Sequence, residues 1–167
     1  MNPERFRLLA AVVAAHPKGQ VVGGTRLQKT VKLLQRLGLP TDYDYMLHFY
    51  GPYSEGLQAE VGLLEVLGLV EEVERHAQNG LPYYVINSKS GAELPEIMKK
   101  FEDAIQTMAN ADPVILEIAV TYDTFREGGM THDQALEAVQ KKKAAKCKNG
   151  NDDKALKLLE TLNLPSS

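Results

Sequence analysis

The stretch Leu47–Glu72, LHFYGPYSEGLQAEVGLLEVLGLVEE, leaves this chain few ways to fold. Its first residues are apolar and aromatic, Gly51-Pro52 interrupts them as a turn, and Leu57, Val61 and Leu64 then recur at i, i+4 and i+7 with Tyr53 and Leu67 on the same side. This spacing predicts an amphipathic helix from about Tyr53 to Leu67, preceded by a strand and followed by the first strand of a hairpin. Glu55, Gln58, Gly62 and Glu65 fall on the opposite side. The outer face of that helix is therefore acidic or small and carries no Lys or Arg.

Upstream, Asn2-Pro3 reads as an N-cap with Pro at the first helical position, and Phe6, Leu9, Ala10 and Val13 repeat at helical spacing as far as Ala15. Gln20 to Val22 makes a minimal strand before Gly23-Gly24. Thr25-Arg26-Leu27-Gln28 has the form of a capping box, so a second helix is expected from there to Gly38, which suits the left-handed position after a last turn. Leu27, Val31 and Leu34 form its buried side, with Arg26, Lys29, Lys32 and Arg36 opposite. In TDYDYMLHFY, Tyr43, Tyr45, Leu47 and Phe49 alternate with polar or flexible residues, the pattern of a strand with one buried face. The insertion between the second and third helices is too long for a tight helix-turn-helix.

Downstream, Leu69–Arg75 and Leu81–Ile86 flank a turn containing Asn79-Gly80, a hairpin signal. Three helices and a two-stranded ribbon make a winged helix. The rest reads as helical: one helix from about Leu94 burying Ile97, Phe101, Ile105 and Met108, one capped by Asp112-Pro113 and ended by Gly128-Gly129, one opened by the capping box Thr131–Gln134, and a last one carrying Leu156, Leu159 and Leu162. The expected fold is α+β and mostly helical, with a winged-helix-like domain over residues 1–90 and a helical extension over 91–167 that packs on it or forms a dimer interface.

With 167 residues, 44% of them hydrophobic and 25% charged, the chain has the make-up of a folded domain that buries a real core. The single Cys147 excludes an internal disulfide and a Cys/His zinc cluster, and no apolar run reaches the length of a spanning helix, so a cytoplasmic setting is expected. His16, His48, His76 and His132 show no metal-ligand spacing, no glycine pattern cradles a phosphate, and no nucleophile motif is present. No enzyme, cofactor or metal is expected. Charge is unevenly placed: up to Thr41, Arg5, Arg7, Lys18, Arg26, Lys29, Lys32 and Arg36 stand against Glu4 alone, whereas Asp42 to Ser90 is strongly acidic. The basic side of the second helix is either an ordinary solvated face or a phosphate contact, and so is the run Lys141, Lys142, Lys143, Lys146 and Lys148 near a helix C-terminus.

The segments LQKTVKLLQRLG, HFYGPYS and LEVLGLVEE, with LEIAVTYDTF, the lysine-rich segment and ALKLLETL beyond them, resemble the YwgA-like family of small bacterial and archaeal proteins and, more distantly, the Panacea, or SocA-like, antitoxin domain. LQK-type and GPYS-type segments recur together in that family. The resemblance covers most of the chain and implies a winged-helix-like fold with no known enzymatic activity. The expected function is a regulatory protein-binding module, with a protein partner or a second copy meeting Tyr50, Gly51, Pro52, Tyr53, Glu55 and Gln58, and an antitoxin or defence setting in view. The alternative is a DNA-binding regulator using Arg26, Lys29, Lys32 and Arg36 with Lys141, Lys142, Lys143 and Lys146. A recognition helix bearing Glu55, Glu60 and Glu65 and no base repels phosphate, which favours the protein-binding reading.

Overall fold

A computed structural model describes residues 2–167, in which seven α-helices and five short strands are present. The chain is α+β, as expected. Its contacts define two compact units: one runs as far as Tyr45 and resumes over Ser54–Ala109, and the other joins Met46–Tyr53 to Asn110–Ser167. The division does not coincide with a cut after Ser90.

In the first unit, α1 (Pro3–Ala15) starts where the Asn2 side chain accepts the amide protons of Glu4 and Arg5. Strand β1 (Gln20–Val22) follows, then α2 (Arg26–Arg36) and α3 (Glu55–Val66). Strands β4 (Val70–His76) and β5 (Pro82–Ser88) form the expected hairpin around Gly80, whose φ of +83° requires glycine. The sheet is antiparallel in the order β1-β5-β4, with Gln20 opposite Asn87 and Val70 opposite Ser88. Leu27, Val31 and Leu34 of α2 and Leu57, Val61 and Leu64 of α3 are all buried, the stripes that the spacing predicted, whereas α1 buries Leu8, Leu9, Ala11, Val12 and Val13, so that of its expected stripe Leu9 and Val13 are buried and Phe6 and Ala10 only half-buried.

Two features differ from expectation here. Thr25 makes no capping bond: its backbone is in the helical region at ψ −4°, and its Oγ1 accepts from Lys29 Nζ at 2.9 Å instead. The helix expected from Leu94 begins later, as a 3-10 turn over Glu96–Phe101 that continues into α4 (Glu102–Ala109). Pro95, at ψ 145°, is extended, and a helix cannot run through it.

In the second unit, β2 (Met46–His48) and β3 (Gly51–Tyr53) pair antiparallel as a separate two-stranded sheet, and β3 packs on α5 (Pro113–Glu127). Asp112 caps α5 through the amides of Val114 and Ile115. The capping box of Thr131 and Gln134 opens α6 (His132–Lys142) with both of its bonds formed, and α7 (Asn151–Thr161) closes the unit. Leu116, Ile118, Ala119 and Val120 of α5, Val139 of α6 and Leu159 of α7 are buried.

The single strand expected across Tyr43 to Phe49 is not formed. Tyr43 is buried in the first unit, β2 begins only at Met46, and the turn falls at Phe49-Tyr50, so that Gly51-Pro52 is the start of a strand and not a turn. Leu47 and Phe49, expected on a buried face, are exposed.

Candidate interaction surface

Helix α2 governs where the segment between α2 and α3 leaves and rejoins the first unit. The carboxamide of Gln35 accepts from the Tyr43 amide (2.8 Å) and the Thr41 hydroxyl (2.8 Å) and donates to the Tyr43 carbonyl (3.1 Å). Two turns earlier Gln28 does the same for Ser54, accepting from its amide at 2.8 Å and donating to its carbonyl at 2.9 Å. A side-chain amide offers one donor and one acceptor side by side, so each glutamine pairs with a residue's backbone as a neighbouring strand would. Ser54 in turn caps α3 by accepting from the Leu57 amide at 3.2 Å. Gln28 of the LQK segment thus holds Ser54 of the GPYS segment.

A third tie is Glu60 on α3, buried though charged. It accepts from Arg5 Nη2 at 2.6 Å and Nε at 3.1 Å, and from the Tyr43 hydroxyl, while the Arg5 guanidinium lies 4.5 Å from the centre of the Tyr43 ring. Burial, reinforced by the bond to Glu60, raises the Tyr43 hydroxyl well above its ordinary value, so it stays a donor. Burial alone raises Tyr45 likewise.

The hairpin between these clamps is supported from below by its own unit. Gly51 has a φ of +100°, and a Cβ there would meet Thr121 Oγ1 at 3.4 Å and Val120 Cγ1 at 3.5 Å. Lys143, itself buried, donates to the Phe49 carbonyl and lies 3.2 Å from Glu117 Oε2. Lys146 donates to the same oxygen at 2.6 Å and sits 4.9 Å from the centre of the Tyr50 ring. The turn backbone is thus anchored by Lys143, which shares one buried carboxylate with Lys146, and the hairpin's side chains are left outside: Phe49 is 92% exposed and Tyr50 61% in the turn, and Met46 of β2 70%.

Of the residues expected to meet a partner, Tyr50 is exposed on this tip, Gly51 and Pro52 are buried in β3, and Tyr53 is half-buried with its ring 5.0 Å from that of His48. Glu55 and Gln58 are exposed on α3. The sequence left Tyr45, Phe49, Tyr50 and Tyr53 open between a core cluster and an exposed aromatic face, and passed over the roles of Gln28, Gln35, Glu117 and Lys143. Of these only Gln28 had a signal, since it lies in the LQK segment and bonds Ser54 of the GPYS segment.

The basic residues fare differently. Lys29 and Lys32 are 3% and 4% exposed, so the solvated basic face expected on α2 is not there. Arg26 donates to the carbonyls of Val22 (2.9 Å) and Met108 (2.7 Å), fastening α2 to the end of α4. Arg36 and Lys146 are half-buried, Lys143 is buried, and Lys141 and Lys142 remain on the surface, the first paired with Glu137 at 2.9 Å. Half-buried Cys147 has its thiol pushed up by burial, which makes it less reactive than a free cysteine. Among the described residues no group of His, Cys, Asp or Glu is placed to hold a metal ion, and no helix is long and apolar enough to cross a membrane. The first unit also has a groove of about 420 Å³ lined by Phe6, Ala10 and Ala14 of α1 and by Leu94 and Pro95.

Fold and surface together define an α+β protein in which, among the described residues, Phe49 of the anchored hairpin is the most exposed large apolar side chain. Its sequence is similar to the uncharacterized protein YwgA of Bacillus subtilis (strain 168), with 26% identity over 153 residues that cover 86% of this chain and 89% of that protein. The chain is in this sense YwgA-like, as its motifs suggested. No protein-family model matches it.

Proposed function

We propose that the protein is a non-catalytic interaction module, built on a winged-helix-like first unit, that binds another protein through the tip of the β2–β3 hairpin in a cytoplasmic regulatory, antitoxin or defence setting. The observation that carries this reading is the exposure of Phe49 and Tyr50 on a turn whose backbone is fixed by Lys143. An aromatic side chain left in water on a rigid support gives up little entropy when a partner covers it, the circumstance in which aromatic residues contribute most to an interface. The winged-helix element of the proposal is supported by the order α1, β1, α2, α3, β4, β5 and by the sheet order β1-β5-β4.

Against the DNA-binding alternative stand four of the eight residues it would use, since Lys29, Lys32 and Lys143 are buried and Arg26 donates to backbone carbonyls. Replacing Lys29 or Lys32 therefore perturbs folding and does not report on DNA. The deciding experiment is affinity capture from native lysate, with and without nuclease, comparing wild type with the double variant Phe49→Ser, Tyr50→Ser. A stoichiometric protein that survives nuclease and is lost with the double variant is the expected result. Recovery of nuclease-sensitive DNA, unaffected by the double variant and reduced by replacing Lys141 and Lys142 with Ala, overturns the proposal.

A further inference from the structure

Strand β2 has an open side. It pairs only with β3, in the register Met46 to Tyr53, Leu47 to Pro52 and His48 to Gly51. Pro52 has no N–H, so Leu47 and Pro52 form the pair that exchanges no hydrogen bonds, and the ladder bonds run through Met46 with Tyr53 and His48 with Gly51. It follows that the N–H and C=O of Leu47 point away from β3, along the outer edge.

The molecule treats its strand edges unequally. The other hairpin's edge strand, β4, carries exposed Glu71, Glu72, Glu74 and Arg75, the charged dressing that keeps edges from pairing. The stretch Tyr45–Tyr53 contains no Asp, Glu, Lys or Arg, and all three β2 residues are exposed, Met46 and Leu47 among them. An outward donor and acceptor on one residue, set in an uncharged apolar strand, is a template for strand addition.

Resting on the interaction reading above, we propose that the occupant of this edge is the β2 strand of a second copy of the chain, paired antiparallel about a two-fold axis at Leu47. Each Leu47 N–H donates to the Leu47 carbonyl of the other copy, giving the order β3-β2-β2-β3. The same register sets Met46 opposite His48 of the second copy and Tyr45 opposite Phe49. A two-fold interface places every residue against its own symmetry mate or the mate's neighbours, so it demands a surface that does not repel itself. Tyr45–Tyr53 meets that demand. The acidic β4 edge does not, since it would set glutamates against glutamates.

The test is sedimentation velocity on the full chain over roughly 1 to 300 µM, the range of affinities that small interfaces give. Wild type is expected to show a monomer–dimer equilibrium. Leu47→Pro removes the outward N–H without touching the β2–β3 ladder, and Leu47→Glu places like charges on the axis; each is expected to weaken the dimer by about tenfold or more, through lost hydrogen bonds in the first case and repulsion in the second, with far-ultraviolet circular dichroism unchanged. Should Leu47→Pro disturb folding, Leu47→Glu decides, because it leaves the backbone intact. Wild type that stays monomeric throughout, or a dimer of equal strength in both variants, overturns the proposal. A monomeric wild type that still captures a protein dependent on Phe49 and Tyr50 would remove self-pairing and leave the interaction reading standing; monomeric behaviour with no such capture would remove both.

Discussion

Gln28 shows how much structure one neutral side chain can hold. It is 2% exposed, and both of its bonds go to the backbone of Ser54, itself 1% exposed. Gln28→Ala leaves the buried Ser54 N–H unsatisfied, while the Ser54 carbonyl keeps the Gln58 amide at 3.2 Å; the expected cost is about 1–3 kcal/mol, read from urea unfolding, with faster hydrogen exchange at the Ser54 amide as the local sign. His16 gives a pH signature. Its Nδ1–H donates to the Val12 carbonyl at 2.7 Å, its Nε2 is buried with no protein partner, and burial lowers its pKa from 6.5. The unfolded chain therefore takes up the proton first, so this group's contribution is intact above pH 6.5 and stability falls as pH drops below it, by at most about 1.4 kcal/mol per pH unit. His16→Gln should flatten that part of the profile, and urea midpoints of the two proteins measured across this range check it.

Elements that announce themselves by local chemistry were legible in the sequence. The stripes of α2 and α3, the Asn2, Asp112 and Thr131 caps and the Asn79-Gly80 hairpin each need only a few neighbouring residues to specify them. What was misread depends on distant contacts. The alternation at Tyr43–Phe49 implies one strand, yet Tyr43 is drawn to Glu60 and Gln35 while the turn at Phe49 is drawn to Lys143. Lysines at helical spacing look alike in a sequence whether they face water or a buried carboxylate. The run 141–143 makes this testable: Lys142 is exposed and Lys143 is buried against Glu117 and the Phe49 carbonyl. Lys142→Met should leave stability within about 0.5 kcal/mol, whereas Lys143→Met should cost about 2–4 kcal/mol by withdrawing a cation from a buried carboxylate, and hydrogen exchange in β2 and β3 should rise with it. Gly51→Ala tests the same hairpin from its other side. A φ of +100° and a 3.4 Å approach to Thr121 Oγ1 predict a loss of about 1–2 kcal/mol in thermal unfolding.

At the scale of the whole molecule, order along the chain and order in space part company. Residues Met46–Tyr53 lie, by sequence, inside the first unit, yet they belong with the helices after Asn110. That consequence is one of timing. During synthesis the first unit has all of its own elements once Ala109 has emerged, but the β2–β3 hairpin within it must wait for α5, which packs on β3, and for Lys143, which holds its turn. Until then β3, whose Gly51 and Pro52 are buried in the finished protein, has no surface to pack on and the turn at Phe49 no anchor. A ribosome-bound fragment ending near Ala109 is therefore expected to be the form most in need of a chaperone, and a stop in translation there should yield a product that aggregates, where the finished chain does not.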